Sequence, residues 1–230
     1  MKLNLSFSLC TAVGAVVLSL SAPVAQAVPL VPGQTLTLSV ADQTPTFVGT
    51  KIADTGLVSF LLTDALGTHT AQGTIESMVY DRTGGSGSPL LDFYYQVANG
   101  AATADGPDAV LSVSSTSFKG WLTNVGYLSA PAGGTDAPTT VDRSTSGGTV
   151  TFSSFLGGGP GQGIQPNETS RWLLISTNAT LYQPGSTQVL DGGQASVVTF
   201  APGPEPAAIA FFGIGLLITG ALLRKRFIQE

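Results

Sequence analysis

The chain has 230 residues, a formal net charge of −5, only 10% charged residues and one cysteine. Between residues 28 and 203 it carries five basic and twelve acidic side chains, a balance of −7 with no Lys/Arg cluster, which excludes nucleic-acid binding through a basic patch. The one cysteine is Cys10, so the rest of the chain has neither disulfide nor thiol chemistry and must be held by packing and hydrogen bonds, for which one domain of this length suffices.

Residues 1–27 have the organisation of a secretory leader. Lys2 supplies the positive start, residues 9–20 an apolar stretch, and Ala25-Gln26-Ala27 an A-x-A cleavage site that makes Val28 the first mature residue. Pro23 and the small residues before Val28 favour cleavage over an uncleaved anchor. Phe7-Ser8-Leu9 ahead of Cys10 does not fit a lipoprotein signal. Signal peptidase and the general secretion machinery are the expected first partners.

Residues 28–200 read as strands and turns. Residues 34–40 alternate, with Leu36, Leu38 and Val40 on one face. Further strands are expected over 56–62, 68–80, 90–98, 110–118, 149–155, 171–182 and 194–200. Gly/Pro/Ser-rich stretches at 83–89, 99–107, 131–138 and 157–163 read as loops, with long connections over 131–148 and 157–169. No stretch in this part sustains helical periodicity and no fixed-period repeat is present. The expected fold class is all-β, an antiparallel β-sandwich or jelly-roll-like domain.

Residues 201–230 form a separate tail. Pro204-Glu205-Pro206 is followed by seventeen residues without a charge, 207–223, and then by Arg224, Lys225 and Arg226. A helix of that length spans about 26 Å, at the short end for a bilayer core. The basic cluster sets its orientation, C-terminus inside and domain outside. A buried core helix is the competing reading, but such a helix rarely lacks a polar face over five turns. Gly215 and Thr219 form a weak small-xxx-small pair.

Together, the Pro-Glu-Pro, the apolar segment and the basic cluster resemble the C-terminal tail of PEP-CTERM proteins, the substrates of exosortases in Gram-negative bacteria. The resemblance extends more loosely to Leu173-Leu174-Ile175-Ser176-Thr177-Asn178-Ala179, Tyr182, Gly185, Asp191-Gly192-Gly193 and residues 197–200, which look like the final hairpin before the motif in that family. It implies export across the inner membrane and a precursor held with its N-terminus out and C-terminus in. It also implies processing at Pro204, Glu205 and Pro206 by an exosortase, and association with extracellular polysaccharide at the cell surface or in the matrix.

Chemistry is sparse. His69 is the one histidine and sits among polar neighbours, which leaves no zinc site or Cys–His pair, and no G-x-S-x-G elbow accompanies it. Glu76, Asp81 and Asp92 are the carboxylates nearest a glycosidase-like arrangement, whose separation sequence cannot give. Asp105-Gly106-Pro107-Asp108 and Asp191-Gly192-Gly193 are oxygen-rich turns without a calcium-loop pattern. Phe93, Tyr94, Tyr95, Trp121 and Trp172 are candidates for a sugar-stacking platform, with Trp172 placed in the core and the adjacent Tyr94 and Tyr95 on opposite faces, one in and one out. Asn167-Glu168-Thr169 and Asn178-Ala179-Thr180 match the glycosylation triplet, which carries little weight in a bacterial setting. The expectation is an exported, non-catalytic surface or matrix protein without cofactor or metal. The alternatives are an extracellular carbohydrate-binding module, a carboxylate-pair hydrolase and a permanently anchored single-pass membrane protein.

Overall fold

The structure is a computed structural model that describes residues 27–204 apart from 45, 64–68, 86, 88, 103–108, 130–132 and 157–162. The expected leader segment before Ala27 and the tail from Glu205 onward, with its apolar run and basic cluster, lie outside the described residues, as does the Asp105–Asp108 turn. No helix among the described residues is long and apolar enough to cross a membrane.

The described part is all-β. Its strands are β1 Val28–Pro29, β2 Thr35–Thr37, β3 Gln43–Thr44, β4 Thr50–Asp54, β5 Val58–Thr63, β6 His69–Asp81 and β7 Leu91–Asn99. After these come β8 Ser112–Ser115, β9 Thr123–Leu128, β10 Pro138–Arg143, β11 Val150–Phe155, β12 Leu173–Thr177, β13 Tyr182–Asp191 and β14 Gly193–Pro202. The one helical turn among the described residues is a 3-10 turn at Val40–Asp42, closed by a Ser39/Asp42 capping box.

All fourteen strands belong to one sheet, curled into a half-barrel, in the order β1-β9-β12-β7-β6-β5-β14-β13-β8-β11-β10-β2, with β3 added to β9 and β4 to β6. Every pairing is antiparallel except β3 with β9. The alternation that marked the strands places Phe93, Tyr95 and Val97 of β7 inside the curl, together with Ile75 and Val79 of β6, Phe152 of β11 and Ile175 of β12. Burying this apolar face is the main stabilising term in a chain that lacks cross-links. Inside the core a ladder of hydroxyls joins three strands: Ser115 to Thr187 at 2.9 Å and Thr187 to Thr199 at 2.8 Å. These pairs let polar β-branched residues enter the core with their hydroxyls satisfied.

A second, smaller core lies on the other face, where Tyr94, Leu128, Trp172 and Leu174 are buried. Phe47 caps it from the segment before β4, stacked on Tyr80 at 5.0 Å and edge-on to Tyr94 and Trp172. The sheet is therefore covered on both faces at β7, and five consecutive residues, 91–95, are buried. This corrects the expectation that one of Tyr94 and Tyr95 faces solvent: they point to opposite faces and both are fully buried.

Other expectations change. The strand expected over 34–40 is only β2, and Val40, expected on its apolar face, stands exposed in the 3-10 turn. The long connection over 131–148 contains β10, whose pattern of Thr139, Thr140, Asp142 and Arg143 around Val141 hides a strand in polar residues. The single strand over 171–182 is instead β12, a turn at Asn178, and the start of β13. The final hairpin is β13–β14, turning at Gly192, with β12 several strands away beside β9 and β7.

Candidate functional site

The register brings one set of connections to the end of the sheet where β14 stops at Pro202. Pro29, Thr35, Asp81, Leu91, Ser115, Thr123, Arg143, Thr177 and Tyr182 all close or open their strands at this end. The loop over 116–122 stands at its centre. Phe118 plugs that loop into the core against Phe93, ring centroids 5.9 Å apart. Ser117 and Gly120 both take positive φ, +75° and +89°, so the loop turns sharply on each side of Lys119.

Arg143 fixes this loop from beneath. It is almost fully buried, and its guanidinium donates to four main-chain carbonyls: Gly147 at 3.0 Å, Leu30 at 2.9 Å, Phe118 at 2.8 Å and Trp121 at 2.9 Å. One side chain thus ties the entry of the chain, the Trp121 loop and its own hairpin turn. Arginine suits this position because its donors are fixed in a planar fork. Burial lowers its pKa without removing its charge.

Trp121, half-buried, divides two open grooves. One, of about 570 Å³, is lined by Ser117, Lys119, Asn178, Gln183, Pro202 and Pro204. The other, of about 490 Å³, is more apolar and runs along Pro29, Val31, Leu122 and Asn124 above Arg143. Asn178 holds the far wall by accepting a 2.8 Å bond from the Leu122 amide.

The sequence candidates fare unevenly. Of the five aromatics, Phe93, Tyr94, Tyr95 and Trp172 are buried, so a stacking platform built from them does not exist; Trp121 alone borders a groove. Glu76 stands opposite Gln96 and Asp92 opposite Tyr80, four residues apart on one face, about 13 Å by strand rise, while Asp81 points to the other face. No pair forms among them. Glu76 instead neighbours Asp54, itself bridged to Lys51 at 2.7 Å, and burial followed by Asp54 raises its pKa. Asp81 accepts from Thr83 and the Gly85 amide, closing the turn after β6. Asp92 is buried 3.3 Å from Arg82, and desolvation pushes it up to about 6 against the pull of that arginine. His69 opens β6 opposite Thr63, and Asp191 and Gly192 form the β13–β14 turn. Of the sorting residues, Pro204 is exposed at the end of the fold; of the cleavage residues, Ala27 packs against the second core and Val28 opens β1. Ala25, Glu205, Pro206, Arg224, Lys225 and Arg226 lie outside the described residues.

The opposite end of the sheet holds an acidic pair that sequence spacing did not reveal. Asp136 is buried with Glu168 in hydrogen-bonding reach; burial first, then Glu168, raises it to about 6. The folded state therefore binds this proton more tightly than the unfolded chain, whose aspartate titrates near 4. Stability contributed by the Asp136 proton is present below about pH 4 and is lost as pH rises to about 6. Asp136→Asn, which donates to Glu168 without a proton, is expected to raise the thermal midpoint at about pH 7.5 and leave it unchanged or lower at about pH 4. Equal effects at both pH values would show that the pair does not share a proton. Among the described residues, no group of three or more His, Cys, Asp or Glu side chains gathers.

Comparison with protein-family models, with curated proteins and with solved structures found no match.

Proposed function

We propose that the β domain is an exported, non-catalytic surface or extracellular-matrix protein. A cleaved leader delivers it, the C-terminal segment holds it in the membrane, and an exosortase processes it at Pro204-Glu205-Pro206. The finer architecture we propose is a jelly-roll-like sandwich, with the two halves of the curled sheet facing each other across the main core. One observation carries the functional reading: β14 runs to Pro202, and the exposed Pro204 follows two residues later, so the motif begins just after the last described strand. A protease reaching this site meets Pro204 exposed. The N-terminal strand supports the same topology, since β1 begins at Val28, the residue that leader cleavage makes the first.

Intact-mass analysis of the protein from its host, membrane and extracellular fractions separately, tests this reading. A species beginning at Val28 and ending near Pro204 to Pro206 supports it. A membrane species ending at Glu230 supports the permanently anchored alternative. Replacing Pro204, Glu205 and Pro206 together by alanine is expected to abolish the shortened extracellular species and leave the longer form in membranes; an unchanged mass would remove the motif from the account.

The carbohydrate-binding reading is favoured by Trp121, which lines a groove with Lys119, Asn178 and Gln183, a combination suited to apolar sugar faces and hydroxyls. Trp121→Ala is then expected to abolish retention on purified exopolysaccharide; retention by the variant, or none by the parent, counts against it.

A further inference from the structure

The end of the domain that carries Pro204 combines uncovered apolar side chains with exposed basic charge, although other uncovered apolar side chains, such as Val40, Leu111 and Leu156, lie elsewhere. Large apolar side chains are uncovered there: Leu122 is 73% exposed, Val31 59%, Leu181 42%, Tyr182 40% and Leu90 39%. Hydrogen bonds tie their segments together: the Leu122 amide donates to the Asn178 side chain, the Leu181 carbonyl accepts from Gly203, and the Leu91 amide donates to the Ala179 carbonyl. Half-buried Trp121 stands among them. Scattered exposed leucines need no explanation, but a group gathered at one end by four separate connections does.

Charge is also segregated. Lys119 is exposed at this end and Arg82 partly so. The nearby carboxylates face inward: Asp81 and Asp92 are buried and Asp142 is half-buried. The acidic groups Asp42, Asp136, Glu168 and Asp191 belong to the opposite end. A balance of −7 for residues 28–203 predicts repulsion from anionic lipid, but Asp42, Glu168 and Asp191 lie at the end away from this one.

Chain length decides what meets this end. From Pro204 to Ala207, where the apolar run begins, there are three peptide steps, a reach of about 11 Å. Resting on the anchored-precursor reading above, we infer that before processing the domain sits on the lipid surface by this end, with Trp121, Leu122, Leu181 and Tyr182 in the headgroup region and Lys119 toward anionic lipid. Aromatic residues and snorkelling basic side chains are the groups that favour such an interface. The occupant is the bilayer itself, and the short linker gives the domain no room to stand clear of it.

The chain has two tryptophans, and Trp172 is buried, so Trp172→Phe leaves Trp121 as the sole reporter. The full chain, expressed with its own leader and taken from membranes, is reconstituted into phosphatidylcholine/phosphatidylglycerol vesicles carrying a nitroxide near the glycerol backbone. Co-flotation with the vesicles reports anchoring; quenching of Trp121 reports docking. The expected result is co-flotation with loss of most Trp121 emission, restored by Leu122→Asp with Leu181→Asp while the chain still floats. Amide hydrogen exchange of residues 119–122 and 178–182 on the unaltered chain, slower in vesicles than in detergent, gives the same answer without relying on Trp172→Phe. Co-flotation with unquenched Trp121 and unprotected amides overturns the docking and leaves the anchor standing, including where a host protein covers this end instead. Failure to float overturns both.

Discussion

Replacing Arg143 by methionine is expected to lower stability by about 3–5 kcal/mol, read as a fall in the urea midpoint, because the variant leaves several buried carbonyls without donors. Methionine keeps the apolar stem but none of the guanidinium N–H groups, and the carbonyls of Leu30, Phe118, Trp121 and Gly147 lose their partner together. Each buried carbonyl so orphaned costs about 1–3 kcal/mol, while release from burying the charge, whose cost is seen in the lowered pKa, offsets part of the sum. Arg143→Lys is expected to fall between the two, since one ammonium cannot span carbonyls contributed by three separate segments. The loss is also expected to be local in the folded state. Trp121 emission should shift to the red as its loop loosens, and glycan or lipid contacts made through that loop should weaken with it. A midpoint equal to that of the parent would mean that the loop is held by Phe118 alone.

The all-β class was legible because burial in a pleated strand has period two, and the alternating Leu36/Leu38 and Val150/Phe152 carry that period openly. β7 was legible as a strand but its surroundings were not. A sheet covered on one face and a sheet covered on both can begin with the same aromatic residues, and only the position of Phe47, from a segment without strand patterning, tells that Tyr94 is enclosed. β9 and β10 escaped because Thr, Asn, Gly and Asp line them. These residues are accommodated by cross-strand pairing, as in Thr140 opposite Ser153 and Thr37, which local composition does not encode. The same limit applies to the site. Arg143 enters a sequence reading only as one more charge, since its carbonyl partners come from positions between 4 and 113 residues away. Lys119, Trp121, Asn178 and Pro204 converge through strand order alone. The Pro-Glu-Pro tail is the reverse case: it is read linearly, and its three features require no fold to be recognised.

Trp172→Ala is the other substitution expected to act strongly, with a loss of about 3–5 kcal/mol in equilibrium unfolding, the range for deleting a buried indole. Trp172 packs beside Leu128, Leu174 and Tyr94 on the face of the sheet away from the main core, with Phe47 edge-on to it at 5.4 Å. That core is small, so there are few neighbours to move into the space an alanine would leave. Phe47→Ala is expected to cost less, about 2–3 kcal/mol, since Phe47 is only partly buried. The two effects should not add. Each residue supplies part of the surface that the other covers, and the double variant should lose about 0.5–1.5 kcal/mol less than the sum, as for other aromatic pairs. Additive losses would show that Phe47 is held by Tyr80 and Tyr94 without Trp172. The coupling reaches the entry of the chain, because Ala27 lies against this same cluster and Val28 continues from it into β1 beside β9. Loosening the second core is therefore expected to fray β1 first, seen as faster amide exchange at Leu30, whose amide bonds Thr123 and whose carbonyl accepts from Arg143. Through Leu30, main-chain hydrogen bonding links β1 to β9 and to the arginine that holds the Trp121 end.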